Sequence, residues 1–123
     1  MLKTLEDIIL MVRERKTKPQ SESYTNKLLA NKELSVKKVK EEVKELIEAV
    51  ENNTNKVHET ADVLYHLIVY LEANNVKIED VMKELDKRKK WATTTITFFY
   101  KSWEARYHAK KSKRINLVYL LMI

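Results

Sequence analysis

The sequence predicts an all-α protein, a helical bundle of four to five helices. The chain of 123 residues contains no glycine and one proline, Pro19, whereas sheets and tight turns usually depend on glycine-rich connections. Apolar residues recur three and four positions apart between charged residues, which is the period of an amphipathic helix. Helical chains of this length often complete their core by pairing, so we expect a homodimer.

Two helical segments open the chain. The stretch TLEDIILMVRERK predicts a first helix, in which Thr4 and Asp7 resemble a capping box. A polar connection that contains Pro19 follows, and YTNKLLANK has the length of one to two helical turns. One face of the first helix is apolar and comprises Leu5, Ile8, Ile9 and Val12.

Two longer helices follow, joined by the turn NNTN. Ser35 is a candidate N-cap for the third helix, which is expected to end near Asn52. The fourth helix is expected between about Asn55 and Asn75. The inner stripe of the third helix is predicted to be Val36, Val39, Val43, Ile47 and Val50. The inner stripe of the fourth is predicted to be Val57, Ala61, Leu64, Ile68 and Leu71.

The chain changes character after Lys90. The stretch VKIEDVMKELDKRKK predicts a fifth helix, whereas WATTTITFFYKSW is rich in threonine and aromatic residues and favours a strand. We therefore divide the chain into a helical domain, residues 1–90, and a basic, partly apolar extension, residues 91–123. Three roles stay open for the extension: docking on the bundle or across a dimer, a nucleic-acid contact through KKSKR, or a dispensable appendage.

Composition and charge argue against several classes of protein. Without cysteine there is no disulfide framework and no thiolate metal site. No segment reaches the roughly 18–20 apolar residues of a membrane span, and the first apolar run is too short for a signal peptide. Most of the net charge of +6 belongs to the extension, so nucleic-acid binding by the helical domain is not indicated. We expect a cytoplasmic protein with no membrane partner.

Acidic side chains gather on the third and fourth helices, away from the predicted stripes. A helix turns about 100° per residue, which places within one arc of the third helix Glu41, Glu42 and Glu45. The same geometry groups on the fourth helix Glu59, Asp62 and His66. The fourth helix is apolar nearly all round, which predicts burial on more than one side. Buried carboxylates are costly without a cation or strong hydrogen-bond donors.

Two explanations fit this acidic cluster. One is a charged surface with a structural ion-pair cluster, in which lysines such as Lys38 pair with the acids. The other is a divalent cation, which relieves the repulsion among several carboxylates better than one lysine does. Ligand sets made only of oxygen favour Mg²⁺, or Mn²⁺ as a substitute, over Zn²⁺. Magnesium held by a few carboxylates commonly grips substrate phosphates.

The spacing of the acids, EExxE followed by ExxD, is the signature of the all-α nucleoside-triphosphate pyrophosphatase superfamily that includes the MazG-like enzymes. Three stretches resemble the phosphoribosyl-ATP pyrophosphatase family more closely. SYTNKLL resembles its SYTxKLL, ETADVLYHLIVYL resembles its EAADLLYHLLVLL, and KKVKEEVKEL corresponds to its KKVGEEAxEV. The resemblance covers about residues 4–90. One departure is Lys40, which stands where the family often has glycine.

The resemblance implies a two-chain helical bundle that hydrolyses phosphoribosyl-ATP to phosphoribosyl-AMP and pyrophosphate. This reaction is the second step of histidine biosynthesis. The resemblance also implies that a Mg²⁺-activated water attacks between the α and β phosphates. The implied metal ligands are Glu41, Glu42, Glu45 and Asp62. Glu59 is implied as a further ligand or as a base that orients water. The implied substrate contacts are Ser23, Tyr24, Thr25, Lys27 and Lys38.

Two neighbours on the fourth helix have expectations of their own. His66 is expected to hydrogen-bond a site carboxylate or a helix carbonyl, or to contact the substrate, and we include it among the substrate-binding residues. Tyr65 is expected in the core or at the dimer interface.

Two other functions remain open at this point. The first is a MazG-like house-cleaning pyrophosphatase that acts on ordinary NTPs or dNTPs, and the segment SYTNKLL favours phosphoribosyl-ATP over it. The second is a non-enzymatic helical module that binds a protein or a nucleic acid.

Overall fold

The computed structural model describes the backbone of residues 2–110 and the side chains of residues 2–104. Within this part of the chain every regular element is a helix, which confirms the predicted all-α class. The helices are α1 (Lys3–Thr17), α2 (Tyr24–Ala30), α3 (Lys32–Asn52), α4 (Lys56–Ala73) and α5 (Ile78–Lys110). None of these described helices is both long and apolar enough to cross a membrane.

The chain forms two compact units, one up to Val81 and one from Met82 onwards. In the first unit, α3 packs along α4 as a helical hairpin, and α1 and α2 also contact α4. The buried core joins three helices and consists of Ile9, Val12, Leu28, Ile68 and Val69. The second unit contains the remainder of α5, which continues without a break across residue 90. The sequence division between residues 90 and 91 stays a prediction.

Side chains of asparagine and serine determine where the second and third helices begin. Asn31 caps α3, because its Oδ1 accepts a hydrogen bond of 3.0 Å from the Leu34 amide. The prediction that Ser35 is this N-cap is wrong, since Ser35 lies one turn inside α3 and is buried. Ser23 caps α2 by accepting from the Asn26 amide at 3.4 Å. These caps satisfy backbone donors that a helix start leaves without partners.

The start of α1 also differs from the predicted capping box. The N-cap residue is Leu2, which has helical backbone angles and makes no side-chain capping bond. Thr4 therefore lies inside the helix, and the predicted capping arrangement of Thr4 with Asp7 is wrong.

Asparagine takes the place of glycine at the turns of this chain. Asn53 and Asn55 have positive φ angles of 54° and 39° between α3 and α4, and Asn75 has a φ of 57° after α4. Asparagine tolerates this left-handed region better than other residues with a Cβ atom. The predicted NNTN turn is confirmed, and it keeps α3 and α4 adjacent.

The predicted inner stripes of α3 and α4 are wrong in part for the single chain. Val43, Ile47 and Val50 of α3 are 40%, 53% and 56% exposed, whereas the face of α3 turned inward carries Ser35, Glu42 and Ala49. On α4 the exposed apolar residues include Val57, Ala61 and Leu64, whereas Ile68 of the predicted stripe is buried in the core. The pattern of the sequence identified apolar faces, but much of each predicted stripe is not covered by the same chain.

The predicted strand after Lys90 is also wrong, because residues 91–104 continue α5. Each threonine hydroxyl here donates to the carbonyl one turn earlier, for example Thr93 to Lys89 at 2.9 Å and Thr97 to Thr93 at 2.8 Å. Strand propensity expresses packing against neighbouring strands, and the described residues form no strand to pair with. The stretches KKSKR and INLVYLLMI lie outside the residues whose side chains the structure describes.

Candidate metal and substrate site

Three carboxylates converge across the hairpin of α3 and α4. Glu42 and Glu45 lie one turn apart on α3, and Glu59 lies in the first turn of α4. One oxygen atom from each of the three side chains lies within 4.8 Å of the other two. Glu42 is buried, Glu59 is half-buried and Glu45 is exposed. We call this group the site cluster; its position beside the solvent leaves room for a ligand to approach.

The other two predicted acids contact neighbours on their own helices instead. Glu41 Oε2 lies 3.1 Å from the Lys38 ammonium, and Asp62 Oδ2 lies 3.3 Å from His58 Nε2. Both acids are half-buried. Of the four predicted metal ligands, the structure thus brings Glu42 and Glu45 together with Glu59, while Glu41 and Asp62 lie outside this cluster.

Lys38 places a positive charge at the edge of the site cluster. Its Nζ atom lies 3.1 Å from Glu41 and 3.7 Å from Glu42 Oε1. The hydrogen bond with Glu41 raises the pKa of Lys38, so this ammonium stays charged beside the acids. A lysine in this position can bind an anionic oxygen that approaches the cluster.

His66 is buried next to Glu42 and connects α4 with α2. Its Nδ1 lies 2.9 Å from the carbonyl oxygen of Asp62, so we assign a hydrogen to Nδ1, which donates this bond. Its Nε2 lies 3.3 Å from the hydroxyl of Tyr24 and accepts from it in the neutral form. Glu42 Oε1 lies 3.9 Å from Nδ1. The expected hydrogen bond to a helix carbonyl is therefore present.

Helix α2 exposes Tyr24 and Lys27 at the surface and buries Thr25. Tyr24 is 46% exposed, and partial burial raises the pKa of its phenol while nearby Lys38 opposes that effect. Thr25 is only 6% exposed, and its Oγ1 shares a hydrogen bond of 2.7 Å with the hydroxyl of Tyr65. Lys27 is exposed and lines an open cavity of about 470 Å³ beside the connection that contains Pro19.

The bond between Thr25 and Tyr65 was not predicted from the sequence. Tyr65 was expected in the core or at a dimer interface, and the two residues belong to different helices. Helical spacing shows which residues share a face of one helix, but it does not pair residues of two helices. No signal in the sequence identified this contact.

Residues 5–89 of the chain match the model of the family described as phosphoribosyl-ATP pyrophosphohydrolase. Curated proteins named phosphoribosyl-ATP pyrophosphatase are similar to the chain. One from Bacillus cereus (strain AH187) is 45% identical over 80 residues, which cover 63% of this chain and 75% of the relative. One from Bacillus mycoides (strain KBAB4) is 43% identical over 91 residues, covering 68% and 85%. One from Listeria welshimeri is 40% identical over 93 residues, covering 74% and 90%.

Proposed function

Because this chain belongs to the phosphoribosyl-ATP pyrophosphohydrolase family, we propose that it hydrolyses phosphoribosyl-ATP to phosphoribosyl-AMP and pyrophosphate, the second step of histidine biosynthesis. The family match over residues 5–89 is the observation that carries this proposal. The matched range includes SYTNKLL and every carboxylate of the candidate site. The family match favours phosphoribosyl-ATP as the substrate over the ordinary nucleotides of a house-cleaning enzyme. It also favours an enzyme over a purely structural module.

The cation in this proposal is Mg²⁺, with Mn²⁺ as a substitute. Glu42, Glu45 and Glu59 would hold it, and Glu41 and Asp62 are further candidate ligands beside them. The donor set is suitable, because three carboxylates with oxygen atoms within 4.8 Å of one another offer only hard oxygen ligands. When bound, such a cation neutralises phosphate charge and lowers the pKa of a coordinated water.

The side chains of this chain would bind the substrate and orient the attacking water. Lys38, at the edge of the site cluster, would neutralise phosphate oxygens that gain charge as pyrophosphate leaves. Tyr24 and Lys27 reach the surface of α2 and would contact other parts of the nucleotide. Glu59 is half-buried and would orient the water. Ser23 and His66 would support these contacts by capping α2 and by holding the Tyr24 hydroxyl.

We further propose that the protein acts as a homodimer in the cytoplasm. The exposed apolar stripe of α3, formed by Val43, Ile47 and Val50, supports pairing. An apolar stripe of this kind is stabilised when a second protein surface removes it from water. No nucleic-acid or membrane partner belongs to this proposal.

The experiment that tests the proposed reaction uses the full chain and phosphoribosyl-ATP with Mg²⁺. Pyrophosphate release and phosphoribosyl-AMP formation are followed, with ATP and the four dNTPs as competing substrates. We expect turnover of phosphoribosyl-ATP, and we expect that Glu45→Gln removes it while the helical circular dichroism spectrum persists. Hydrolysis of ordinary NTPs or dNTPs alone would establish the house-cleaning alternative. If no substrate is hydrolysed and Glu45→Gln leaves the Mg²⁺ affinity unchanged, the proposal of an enzyme is wrong.

A further inference from the structure

We infer that Thr25 and Tyr65 are positioning residues, which hold the substrate-binding helix α2 at a set distance from the carboxylates of α4. The inference rests on the proposed function, since it concerns the same site. The observation that supports this inference is the hydrogen bond of 2.7 Å between Thr25 Oγ1 and the Tyr65 hydroxyl. This bond joins the first turn of α2 to the middle of α4.

Helix α2 depends on such contacts for its position. It contains seven residues, and an isolated helix this short is not stable in water. One anchor is Leu28, which is fully buried in the core next to Ile68 and Val69. Leu28 is an apolar contact one turn further along α2, so it holds the helix down without determining the orientation of its first turn.

The polar anchors of α2 determine that orientation. The side-chain Nδ2 of Asn26 donates to the carbonyl of Arg15 at 2.7 Å and thereby ties α2 to α1. The bond of Thr25 with Tyr65 is directed instead at α4, the helix that carries Glu59. Thr25 is flanked by Tyr24 and lies two residues from Lys27, the proposed substrate contacts. A shift of the first turn would therefore move these contacts relative to the site cluster.

Burial distinguishes this role from direct contact with substrate. The resemblance implied that Thr25 contacts the substrate, yet the residue is only 6% exposed and its hydroxyl already has a partner within the protein. Because of this burial, a ligand could reach that hydroxyl only if the surrounding side chains moved apart. A buried hydroxyl group that loses its hydrogen-bond partner lowers the free energy of unfolding. Replacing both partners by apolar groups of similar shape changes that free energy very little.

That asymmetry defines the experiment, a double-mutant cycle of Thr25→Val and Tyr65→Phe in the full chain. With phosphoribosyl-ATP and saturating Mg²⁺, we expect each single variant to raise KM about tenfold and to change kcat less than about threefold. We expect the KM of the double variant to be no higher than that of either single variant, because all three variants lose the same hydrogen bond. Thr25→Ser keeps the hydroxyl and should retain the wild-type KM.

Three results would overturn the inference. If Thr25→Val raises KM while Tyr65→Phe does not, Thr25 contacts the substrate directly. If the effects of the two variants simply add, the residues are not coupled. If kcat falls and KM does not change, the pair affects the chemical step rather than the position of α2. The matched control is Tyr70→Phe on the same helix, because the Tyr70 hydroxyl makes no hydrogen bond to the residues that the structure describes.

Hydrogen exchange provides a measurement that does not depend on turnover. In Tyr65→Phe, amide exchange in residues 24–30 should accelerate about tenfold, while exchange in α1 and in Tyr70→Phe stays at the wild-type rate. Unchanged exchange in α2 would overturn the inference even in an active enzyme. Absence of phosphoribosyl-ATP hydrolysis by the wild type would instead refute the proposed function, and the exchange experiment would still test the coupling of Thr25 to Tyr65.

Discussion

Two clusters of acidic residues in the first unit differ in how far basic side chains compensate their negative charge. Arg13 of α1 donates from Nε to Glu72 at 2.8 Å and from both Nη atoms to Glu79 at 2.7 Å. We call Arg13, Glu72 and Glu79 the Arg13 cluster. Its planar guanidinium pairs with Glu79 in bidentate geometry, which is the strong form of an ion pair. As a consequence, Arg13 lowers the pKa of the Glu79 carboxyl to about 2.

The site cluster has no comparable partner. Glu45 and Glu59 form no ion pair with a basic side chain in the described part of the chain, and Glu42 has Lys38 at 3.7 Å and His66 at 3.9 Å. Carboxylates held close together repel one another unless a cation joins them. The acids that form ion pairs with Arg13 therefore stabilise the fold, whereas the acids of the site cluster, whose charge is less fully compensated, are suited to bind a cation from solution.

The largest expected effect comes from Glu59→Gln, which removes one charge from the site cluster. We expect phosphoribosyl-ATP hydrolysis to fall at least about 100-fold, because a ligand and water-orienting carboxylate is lost. Thermal denaturation should show an unchanged or higher Tm without Mg²⁺, since repulsion is relieved, together with a smaller rise on adding Mg²⁺. Glu48→Gln, on the exposed face of α3, is the control. Full activity of Glu59→Gln would refute the assigned role.

A second test asks whether the site cluster depends on a second chain. Ile47 belongs to the exposed apolar stripe of α3, two residues beyond Glu45. We expect Ile47→Lys to halve the mass measured by light scattering and to lower activity about tenfold, because a lysine cannot be buried in an apolar interface without cost. Glu48→Lys lies beside this stripe and should leave the mass unchanged. A dissociated variant that retains full activity would show that each chain works alone.

The stabilising effect of the Arg13 cluster is tested by the variant Glu79→Gln and by changing the pH. The folded-state pKa of about 2 lies below the ordinary value of 4.5, so the ion pair stabilises fully above about pH 4.5 and loses its effect as the pH falls towards 2. We expect Glu79→Gln to lower Tm by a few degrees at pH 7 and by clearly less near pH 2, where about half of the Glu79 carboxyl is protonated in the folded protein. Activity at pH 7 should stay within about twofold of the wild type. A Tm difference near pH 2 as large as that at pH 7 would contradict this account.

The smallest effect is expected from deleting residues 92–123. The site cluster and the Arg13 cluster both lie in the first unit, and the family match ends at residue 89. We expect kcat/KM to stay within about twofold and the circular dichroism signal to fall only by the helix removed. Loss of activity in a folded variant would mean that the extension belongs to the working enzyme.

The fold was predictable to the level of helices but only in part to the level of faces. The predicted apolar face of α1 packs in the core, whereas the predicted stripe of α3 is largely exposed. Spacing identified the helices up to Lys90 within a few residues, because apolar periodicity is a local property. It did not show that the stripe containing Ile47 faces outward, since a single sequence does not reveal which apolar face its own chain covers. The prediction of a strand after Lys90 was wrong because strand propensity depends on neighbouring strands.

The site was predictable in its residue types more than in its contacts. Helical geometry grouped Glu42 with Glu45 on α3 and placed Glu59 in an acidic patch of α4, but it did not show that the two patches meet. The contacts of Glu41 with Lys38 and of Asp62 with His58 join residues three and four apart on one helix, a spacing that allows such pairs. Lys38 was named as a partner of the acids from the sequence, whereas His58 was not. The hydrogen bond of Thr25 to Tyr65 required knowledge of how α2 lies on α4.

The α3–α4 hairpin has a further consequence, for the order of events during folding. All three carboxylates of the site cluster lie within this one hairpin, closed by the turn that contains Asn53 and Asn55. Closing a short loop costs little entropy, so contacts between neighbouring segments form early. Early closure brings three negative charges together before the rest of the chain packs. A divalent cation that binds only the closed hairpin would favour that step, so folding and metal binding of this protein are expected to be thermodynamically linked.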